Sequence, residues 1–154
     1  MITYQLEHFD DCYPEAQELH LLEQHWEEVA LHKNEIPLKG DEDAYREMDA
    51  NGALQIVTVR EDGRLVGYKI HLIKTHLHYC TTLMAFSDMY YLTPSVRVKP
   101  RIAHRMFKVA EEELFKRGVV KVIETTKIHA SQQRFLEFEG YEPAELVLTK
   151  ILKG

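Results

Sequence analysis

One stretch of the chain, residues 91–107, constrains the fold more than any other. It reads as an apolar strand that enters a basic loop, and the loop leads directly into an amphipathic helix opened by Pro100. The free N–H groups and the positive end of the helix dipole at such a helix start attract anions, and strand–loop–helix units hold pyrophosphate in this way. Four cations within nine residues strengthen the prediction of an anion site: Arg97, Lys99, Arg101 and Arg105.

Hydrophobic periodicity and turn signals predict the element order β-α-α-β-β-β-α-β-α-β. The predicted helices cover residues 14–31, 43–48, 100–115 and 132–139. The predicted strands cover residues 2–8, 54–60, 64–75, 79–84 with 85–92, 119–125 and 145–152. The pair Asp62-Gly63 is a hairpin turn signal between the second and third strands. This order predicts an α/β or α+β domain.

The charge is distributed unevenly along the chain, although the total of −6 is modest. Residues 1–50 carry 14 acidic and 3 basic side chains, whereas residues 51–154 carry 11 acidic and 16 basic ones. Nucleic-acid-binding domains are usually basic as a whole, so the composition argues against a nucleic-acid partner. The acidic half is either an ordinary solvated surface or a region that receives a cationic partner, opposite a basic region for an anionic cofactor.

Length and residue types predict one domain outside the membrane. A chain of 154 residues can form one hydrophobic core, no apolar run reaches 18 residues, and residues 1–10 do not resemble a signal peptide. Two cysteines, Cys12 and Cys80, are too few for a disulfide framework, which favours a reducing cytoplasm.

The basic loop and two flanking motifs together resemble the GNAT superfamily of N-acetyltransferases. Residues 61–68 (EDGRLVGY) resemble the family's hairpin between its second and third strands, and residues 140–143 (GYEP) resemble the Gly-Phe/Tyr-x-Pro that follows its last helix. Residues 76–79, 87–92 and 126–129 are most similar to the branch carried by tailed bacteriophages. The resemblance implies a single GNAT domain over residues 1–154, with a mixed, mostly antiparallel sheet between helices on both faces.

The resemblance also implies that acetyl-CoA is the cofactor and that residues around the basic loop bind it. These residues are Tyr91, Leu92, Arg97, Val98, Lys99, Arg101, Ile102, Ala103, His104, Arg105 and His129. The loop departs from the family's Arg/Gln-x-x-Gly-x-Gly/Ala pattern, because Arg101 stands where a glycine is usual and Ala103 takes the last small position. Two outcomes stay open: the Arg101 guanidinium binds a phosphate, or it occupies the pyrophosphate position.

Asp88 is the candidate general base. It lies in the apolar strand over residues 86–92, where many members of the family carry an acidic residue that deprotonates the amine. Strict alternation along the strand places Asp88, Tyr90 and Leu92 on one face. Because burial of an unpaired carboxylate is costly, the alternative is a structural aspartate paired with an arginine or with the backbone.

Two further roles in acetyl transfer have less specific candidates. The resemblance implies that the backbone N–H of Tyr91 or Leu92 stabilises the oxyanion. The family often uses a tyrosine of its last helix to protonate the departing thiolate, and Leu136 stands at that position here. Tyr90, Tyr91 and His129 are the substitutes, although a thiolate with a pKa of about 8.5 also leaves without an acid.

The histidines His71, His76 and His78 raise the question of a metal. A His-x-His pair can present two imidazoles on one strand face, but no second ligand cluster completes the set, so we predict no metal site. His78 is instead expected near the acceptor, as a catalytic candidate with Asp88 and Tyr90. Exposed or core-satisfied histidines are the alternative.

These observations lead to one expected function and one alternative. The expected function is transfer of an acetyl group from acetyl-CoA to an amine by direct attack, with an amine-bearing small molecule or a protein lysine as acceptor. The alternative is a catalytically inactive GNAT-fold phage protein that binds a host protein. We expect a cytoplasmic location, in the host cytoplasm if the chain is phage-encoded, without membrane or nucleic-acid contact, and the sequence leaves a homodimer open.

Overall fold

A five-stranded sheet with the strand order β1-β2-β3-β4-β5 organises the structure, a computed structural model that describes residues 1–153. The strands are β1 (Ile2–Leu6), β2 (Leu54–Glu61), β3 (Arg64–His76), β4 (Tyr79–Leu92) and β5 (Lys121–Ile123). The helices are α1 (Phe9–Glu18), α2 (Leu21–Val29), α3 (Glu42–Ala50), α4 (Pro94–Arg97), α5 (Pro100–Lys116) and α6 (Gln133–Phe138). All neighbouring strands are antiparallel except β4 and β5. The predicted α/β class with a mostly antiparallel sheet is confirmed.

The long helix α5 covers one face of the sheet. Its apolar residues recur every three or four positions, as the sequence predicts, and the buried ones are Ile102, Met106, Phe107, Ala110 and Leu114. The first four pack against Val57 and Val59 of β2 and against Leu92 of β4, and Leu114 packs against Ile73 of β3 and Ala85 of β4. Full burial of one such side chain contributes about 1.5–3 kcal/mol, so this layer anchors the start of α5 beside the end of β4. Within residues 1–153, no helix has both the length and the apolar character needed to cross a membrane.

Helices α1, α2 and α3 cover the opposite face. Leu21 of α2 is buried with Tyr68 of β3 and Tyr91 of β4. Phe9 and Cys12 of α1 are buried against β2. The acidic half of the chain therefore forms the layer on this side of the sheet.

The prediction of a single helix over residues 14–31 is wrong. The chain forms two helices that are broken at His20, which has a left-handed φ of 54°. Pro14 lies inside α1 instead of in a first turn, because that helix already begins at Phe9. Periodicity alone does not detect the break, since the apolar side chains on both sides of it face the same sheet.

The hairpin between β2 and β3 turns at Asp62 and Gly63, as the sequence predicts. Both residues have positive φ, 50° and 85°. This left-handed pair is the backbone of a two-residue turn whose twist matches that of the flanking strands.

β4 and β5 run together for only three residue pairs, from Met84–Lys121 to Phe86–Ile123. Residues 87–92 then continue beside β3 alone. The two pieces expected over residues 79–84 and 85–92 form one strand, and the strand expected over residues 119–125 is reduced to three residues. The parallel pair thus opens toward the end of β4, on the side where α4 and α5 begin.

The closing strand expected over residues 145–152 is absent. Residues 142–153 form neither helix nor strand, and the apolar side chains exposed there are Leu146, Val147, Leu148 and Leu152. β-favouring residues do not make a strand by themselves, because a strand needs a neighbouring edge for its hydrogen bonds. This segment pairs with no strand within residues 1–153.

Gly67 of β3 is expected to tolerate no side chain. A Cβ at this position would lie 2.5 Å from Cδ2 of Leu92 and 2.7 Å from the backbone oxygen of Tyr91. Because that oxygen cannot move without disturbing the β3–β4 pairing, Gly67→Ala should lower the free energy of unfolding by about 1–3 kcal/mol in urea denaturation. Gly40→Ala is the matched control, since no heavy atom lies within 4 Å of its Cβ position. Equal stability of the two variants would contradict tight packing of β3 against β4.

Candidate active site

Asp88 lies at a β-bulge in β4. Ile70 of β3 pairs with Met89, and the next residue, His71, pairs with Ser87, so Asp88 is an extra residue without a partner on β3. A bulge redirects the side chains beside it. Here the carboxylate turns toward α3.

The bulge makes the predicted alternation wrong. The strict pattern placed Asp88, Tyr90 and Leu92 on one face. Asp88 instead contacts Tyr45 of α3, whereas Tyr90 and Leu92 pack on the opposite face with the core of α5. The thickness of the sheet therefore separates Asp88 from Tyr90.

Tyr45 holds the carboxylate of Asp88 through a hydrogen bond of 2.5 Å from its hydroxyl to Oδ2. The Tyr45 ring stacks on Phe9, with ring centres 5.4 Å apart and planes 2° apart, which keeps the hydroxyl in place. Partial removal from water raises the pKa of the Asp88 carboxyl, and the hydrogen bond from Tyr45 opposes this rise. Asp88 also keeps a side open to solvent, so a proton donor can reach it.

The outer edge of β4, beyond its contact with β5, presents backbone groups that no other strand of residues 1–153 pairs with. The N–H of Thr93 donates to the C=O of Val66 on β3 at 2.9 Å, so alternation turns the N–H and C=O of Leu92 outward. In agreement, the C=O of Leu92 accepts a hydrogen bond of 3.1 Å from Nε of Arg97. Of the two expected oxyanion donors, Leu92 rather than Tyr91 has its N–H at the open edge.

Three of the four cations of the basic loop are engaged by acidic side chains. The pairs are Arg97 with Glu28 at 2.6 Å, Lys99 with Glu61 at 3.5 Å and Arg105 with Glu112 at 3.6 Å. The first pair is the closest of the three. In it, each terminal nitrogen of Arg97 donates to one oxygen of the Glu28 carboxylate. These side chains would have to leave their partners to bind an anion.

Arg101 is the exception. Its side chain is exposed in the first turn of α5, and among residues 1–153 no carboxylate lies within 4.0 Å of its guanidinium. The same turn contains no acidic residue, and no side chain caps it. Arg101 and the N-terminus of α5 are therefore available to an anion.

The other residues expected at the cofactor site differ in what they can offer. Val98 and His129 are exposed and Ala103 is half-buried, whereas the side chains of Tyr91 and Ile102 are buried. Nδ1 of His104 lies 2.7 Å from Oε1 of Glu139, which follows α6. His104 thus joins α5 to α6.

His78 is not brought together with Asp88. It lies in the turn between β3 and β4, with its ring stacked on His76 at 5.0 Å. Nine positions of extended chain separate Tyr79, at the start of β4, from Asp88, a distance of about 30 Å. His78 and Asp88 are far apart because residues 79–92 form one long strand, which carries the turn away. Within residues 1–153, no three His, Cys, Asp or Glu side chains form a group that could hold a metal.

Sequence patterns do not reveal two features of this site. Tyr45 lies 43 residues from Asp88, and no spacing rule connects a helix to a bulge at that separation. The second feature is a buried cluster of Lys69, His71 and Glu124 beneath β4, on the α5 face. The sequence does contain one indication of this cluster. Lys69 and His71 stand two positions apart in an apolar strand, which places both on one face of the sheet.

Solved structures of acetyltransferases have the same architecture. A ribosomal-protein-alanine N-acetyltransferase from Brucella melitensis biovar Abortus 2308 aligns with a TM-score of 0.67 and 18% identity, over 99% of each chain. An aminoglycoside acetyltransferase from an uncultured soil metagenomic sample, in complex with sisomicin, aligns with a TM-score of 0.75 and 11% identity, over 99% of this chain and 95% of that one. A predicted acetyltransferase from Clostridium acetobutylicum, with acetyl-CoA, gives 0.68 and 14%, over 98% and 96%.

The chain has the GNAT fold, which is what these similarities establish. No protein-family model matches the sequence, and neither does any curated protein.

The hydrogen bond from Tyr45 is expected to control the titration of Asp88. Tyr45→Phe removes the interaction that lowers the pKa of this carboxyl and leaves the desolvation that raises it. The titration midpoint of Asp88, followed by carboxyl-carbon NMR, should move to higher pH. Tyr13→Phe is the control, because Tyr13 also stacks on Phe9 but its hydroxyl bonds Glu42. The same midpoint in both variants would mean that Tyr45 does not hold Asp88 in solution.

Proposed function

We propose that the chain is an N-acetyltransferase that moves the acetyl group of acetyl-CoA to an amine. The observation that carries the proposal is the open edge of β4. Asp88 comes first along this strand, and Leu92, with its outward N–H, lies at the end of the strand. The start of α5, which no side chain caps, comes soon after in the chain. A base, an oxyanion donor and an anion site thus occur in sequence along one edge of the sheet.

The start of α5 fits the pyrophosphate of acetyl-CoA. The guanidinium of Arg101 has no acidic partner in the described part of the chain, and the first turn adds the positive end of the helix dipole. When bound, acetyl-CoA supplies an acetyl group activated as a thioester. Arg97 and Lys99 can add to the site only by releasing Glu28 and Glu61.

Asp88 and Leu92 supply the two functions that acetyl transfer to an amine requires. An alkyl ammonium has a pKa of about 10 and must lose a proton before its nitrogen can attack. Asp88 accepts this proton, directly or through a water, and its raised pKa makes it a stronger base. The N–H of Leu92 donates to the carbonyl oxygen as negative charge develops there.

Departure of the thiolate needs the least help from the protein. Leu136 takes the place of the tyrosine that often serves as acid, and a thiolate with a pKa of about 8.5 leaves readily near neutral pH. Tyr90 is the phenol that we propose beside the thiolate. Burial raises the pKa of its hydroxyl, so the group stays protonated and donates a hydrogen bond to the sulfur, which leaves as the thiolate anion.

The acceptor side of the sheet is acidic, which favours a cationic amine. Helices α1, α2 and α3 belong to the half of the chain with 14 acidic and 3 basic side chains, and they cover the face to which Asp88 turns. On the same side of the sheet, the hydroxyl of Tyr13 in α1 donates to the carboxylate of Glu42 in α3 at 2.9 Å. A protein lysine or a small polyamine such as an aminoglycoside matches this charge.

A catalytically inactive GNAT-fold phage protein that binds a host protein is the second candidate. The observation in its favour is that Glu28, Glu61 and Glu112 engage three of the four loop cations. In that case the anion site would stay closed by its own ion pairs. Binding of acetyl-CoA, measured by calorimetry, separates the two candidates.

Asp88→Asn should separate binding from turnover. The variant keeps the shape of the side chain but cannot accept a proton, so turnover should fall about a hundredfold while acetyl-CoA binding is unchanged. The loss should shrink at high pH, where the amine deprotonates without help. Steady-state kinetics against a panel of cationic amines, with calorimetry for acetyl-CoA, provides the measurement. Full activity of the variant would remove Asp88 from the mechanism.

Arg101→Ala should weaken acetyl-CoA by about tenfold and make its affinity less dependent on salt, because a charge-assisted hydrogen bond to phosphate is lost. Arg105→Ala is the matched control, since its guanidinium lies 3.6 Å from Glu112. Calorimetry at two salt concentrations measures the dissociation constant of acetyl-CoA and its dependence on salt for each variant. Tighter binding by Arg101→Ala would show instead that this arginine blocks the pyrophosphate position.

A further inference from the structure

Three buried polar side chains meet beneath β4, at the level of the Asp88 bulge. The side chains of Lys69, His71 and Glu124 are at most 1% exposed. Oε1 of Glu124 lies 2.7 Å from Nζ of Lys69 and 2.9 Å from Nε2 of His71. The rings of Phe107 and Tyr90 close the cluster, with centres 4.0 and 4.8 Å from Nζ.

Glu124 reaches across a whole strand to make these contacts. Lys69 and His71 belong to β3, Glu124 directly follows β5, and β4 lies between these two strands. Two strand spacings amount to about 10 Å, which the long side chains of Glu124 and Lys69 bridge together. Glu124 is also the first residue beyond the last β4–β5 pair, Phe86–Ile123. The cluster therefore ties β5 to β3 at the point where β5 leaves β4.

Stability alone does not account for this cluster. Within residues 1–153, Nδ1 of His71 and Oε2 of Glu124 are buried without a hydrogen-bond partner, and Nζ of Lys69 has only its ion pair with Glu124. Burial lowers the pKa of both Lys69 and His71, which reflects the unfavourable surroundings of a positive charge. Apolar side chains of similar size often give an equally stable core. Proteins often accept such an energetic cost of buried polar groups at functional sites, where the groups fix the relative positions of neighbouring elements.

We infer that Lys69, His71 and Glu124 are positioning residues of the acyl-transfer site. They hold the end of β5 at a set distance from the outer edge of β4. This distance is the width of the opening in which the N–H of Leu92 meets the acetyl carbonyl. The inference rests on the proposed function, and the three residues act through the position of β5, without touching the reacting atoms.

Glu124→Gln tests the tie, because it removes the charge and keeps the shape of the side chain. Gln55→Leu is the matched control. Gln55 is another buried polar residue on the same face, and its Nε2 donates to the C=O of Ala110 at 3.0 Å, but it connects no strand to β5. The double variant Lys69→Met/Glu124→Leu removes the cluster and leaves no buried charge from the ion pair, so it keeps the test available if Glu124→Gln does not fold.

Three measurements are made on each variant: hydrogen exchange of residues 121–126 and 87–92, the dissociation constant of acetyl-CoA, and turnover. Loss of the contacts between Glu124 and β3 should speed hydrogen exchange in those two segments only. It should weaken the binding of acetyl-CoA by about tenfold and lower turnover by up to about a hundredfold, because a misplacement of about 1 Å has effects of that size. Gln55→Leu should keep the exchange pattern of these segments and the affinity.

Wild-type exchange and affinity in both cluster variants would overturn the inference. Equal losses in Gln55→Leu would also overturn it, because they would show a general response of the core. If the wild-type chain binds no acetyl-CoA, the proposed function fails and with it the role in acyl transfer, and the exchange comparison then tests only whether the cluster holds β5 in place. Faster exchange confined to residues 121–126 and 87–92 then supports the tie, and uniform exchange rejects it.

Discussion

The early separation of β5 from β4 is the constraint on which the rest of the structure depends. Three residue pairs join the two strands, and residues 87–92 then run on with one edge unpaired. Backbone groups inside a fold are nearly always satisfied, so an unpaired edge of this kind requires either a ligand or a protecting element. The features on which the proposed function rests are arranged around this edge: the bulge at Asp88, the outward N–H of Leu92 and the start of α5.

The sheet also separates opposite charges. The acidic helices α1, α2 and α3 lie on the face to which Asp88 turns, and the helix with the basic first turn lies on the other. A cationic amine and an anionic cofactor would therefore approach from different sides and meet at the edge of a single strand. Long-range electrostatics would attract each ligand to its own side, while short contacts at the edge would align the reacting groups.

The sequence predicts those elements whose cause is local. The Asp62-Gly63 turn needs two left-handed residues, and the apolar spacing of α5 comes from one face packing on the sheet. The break at His20 and the missing strand over residues 145–152 escape prediction, because propensity does not report what a segment packs or pairs with.

The site divides in the same way. Asp88 and the basic loop are visible in the sequence as charges beside apolar runs. The direction of the Asp88 side chain is not, because one extra residue in β4 reverses the expected face. Partners from distant parts of the chain, Tyr45 for Asp88 and Glu124 for Lys69, follow from tertiary structure alone.

The ion pair between Arg97 and Glu28 connects the two sides that the sheet keeps apart. Glu28 lies near the end of α2 among the acidic helices, and Arg97 lies in α4, just before α5. A guanidinium that binds a carboxylate through both terminal nitrogens cannot offer the same fork to a phosphate. An anion that binds Arg97 must displace Glu28. By reciprocity, a ligand that strengthens the contact between α2 and Arg97 lowers the affinity for the anion by the same factor as the anion lowers the affinity for that ligand. Under the proposed function, this surface ion pair would couple the affinities for donor and acceptor, although it is remote from the groups that make and break bonds.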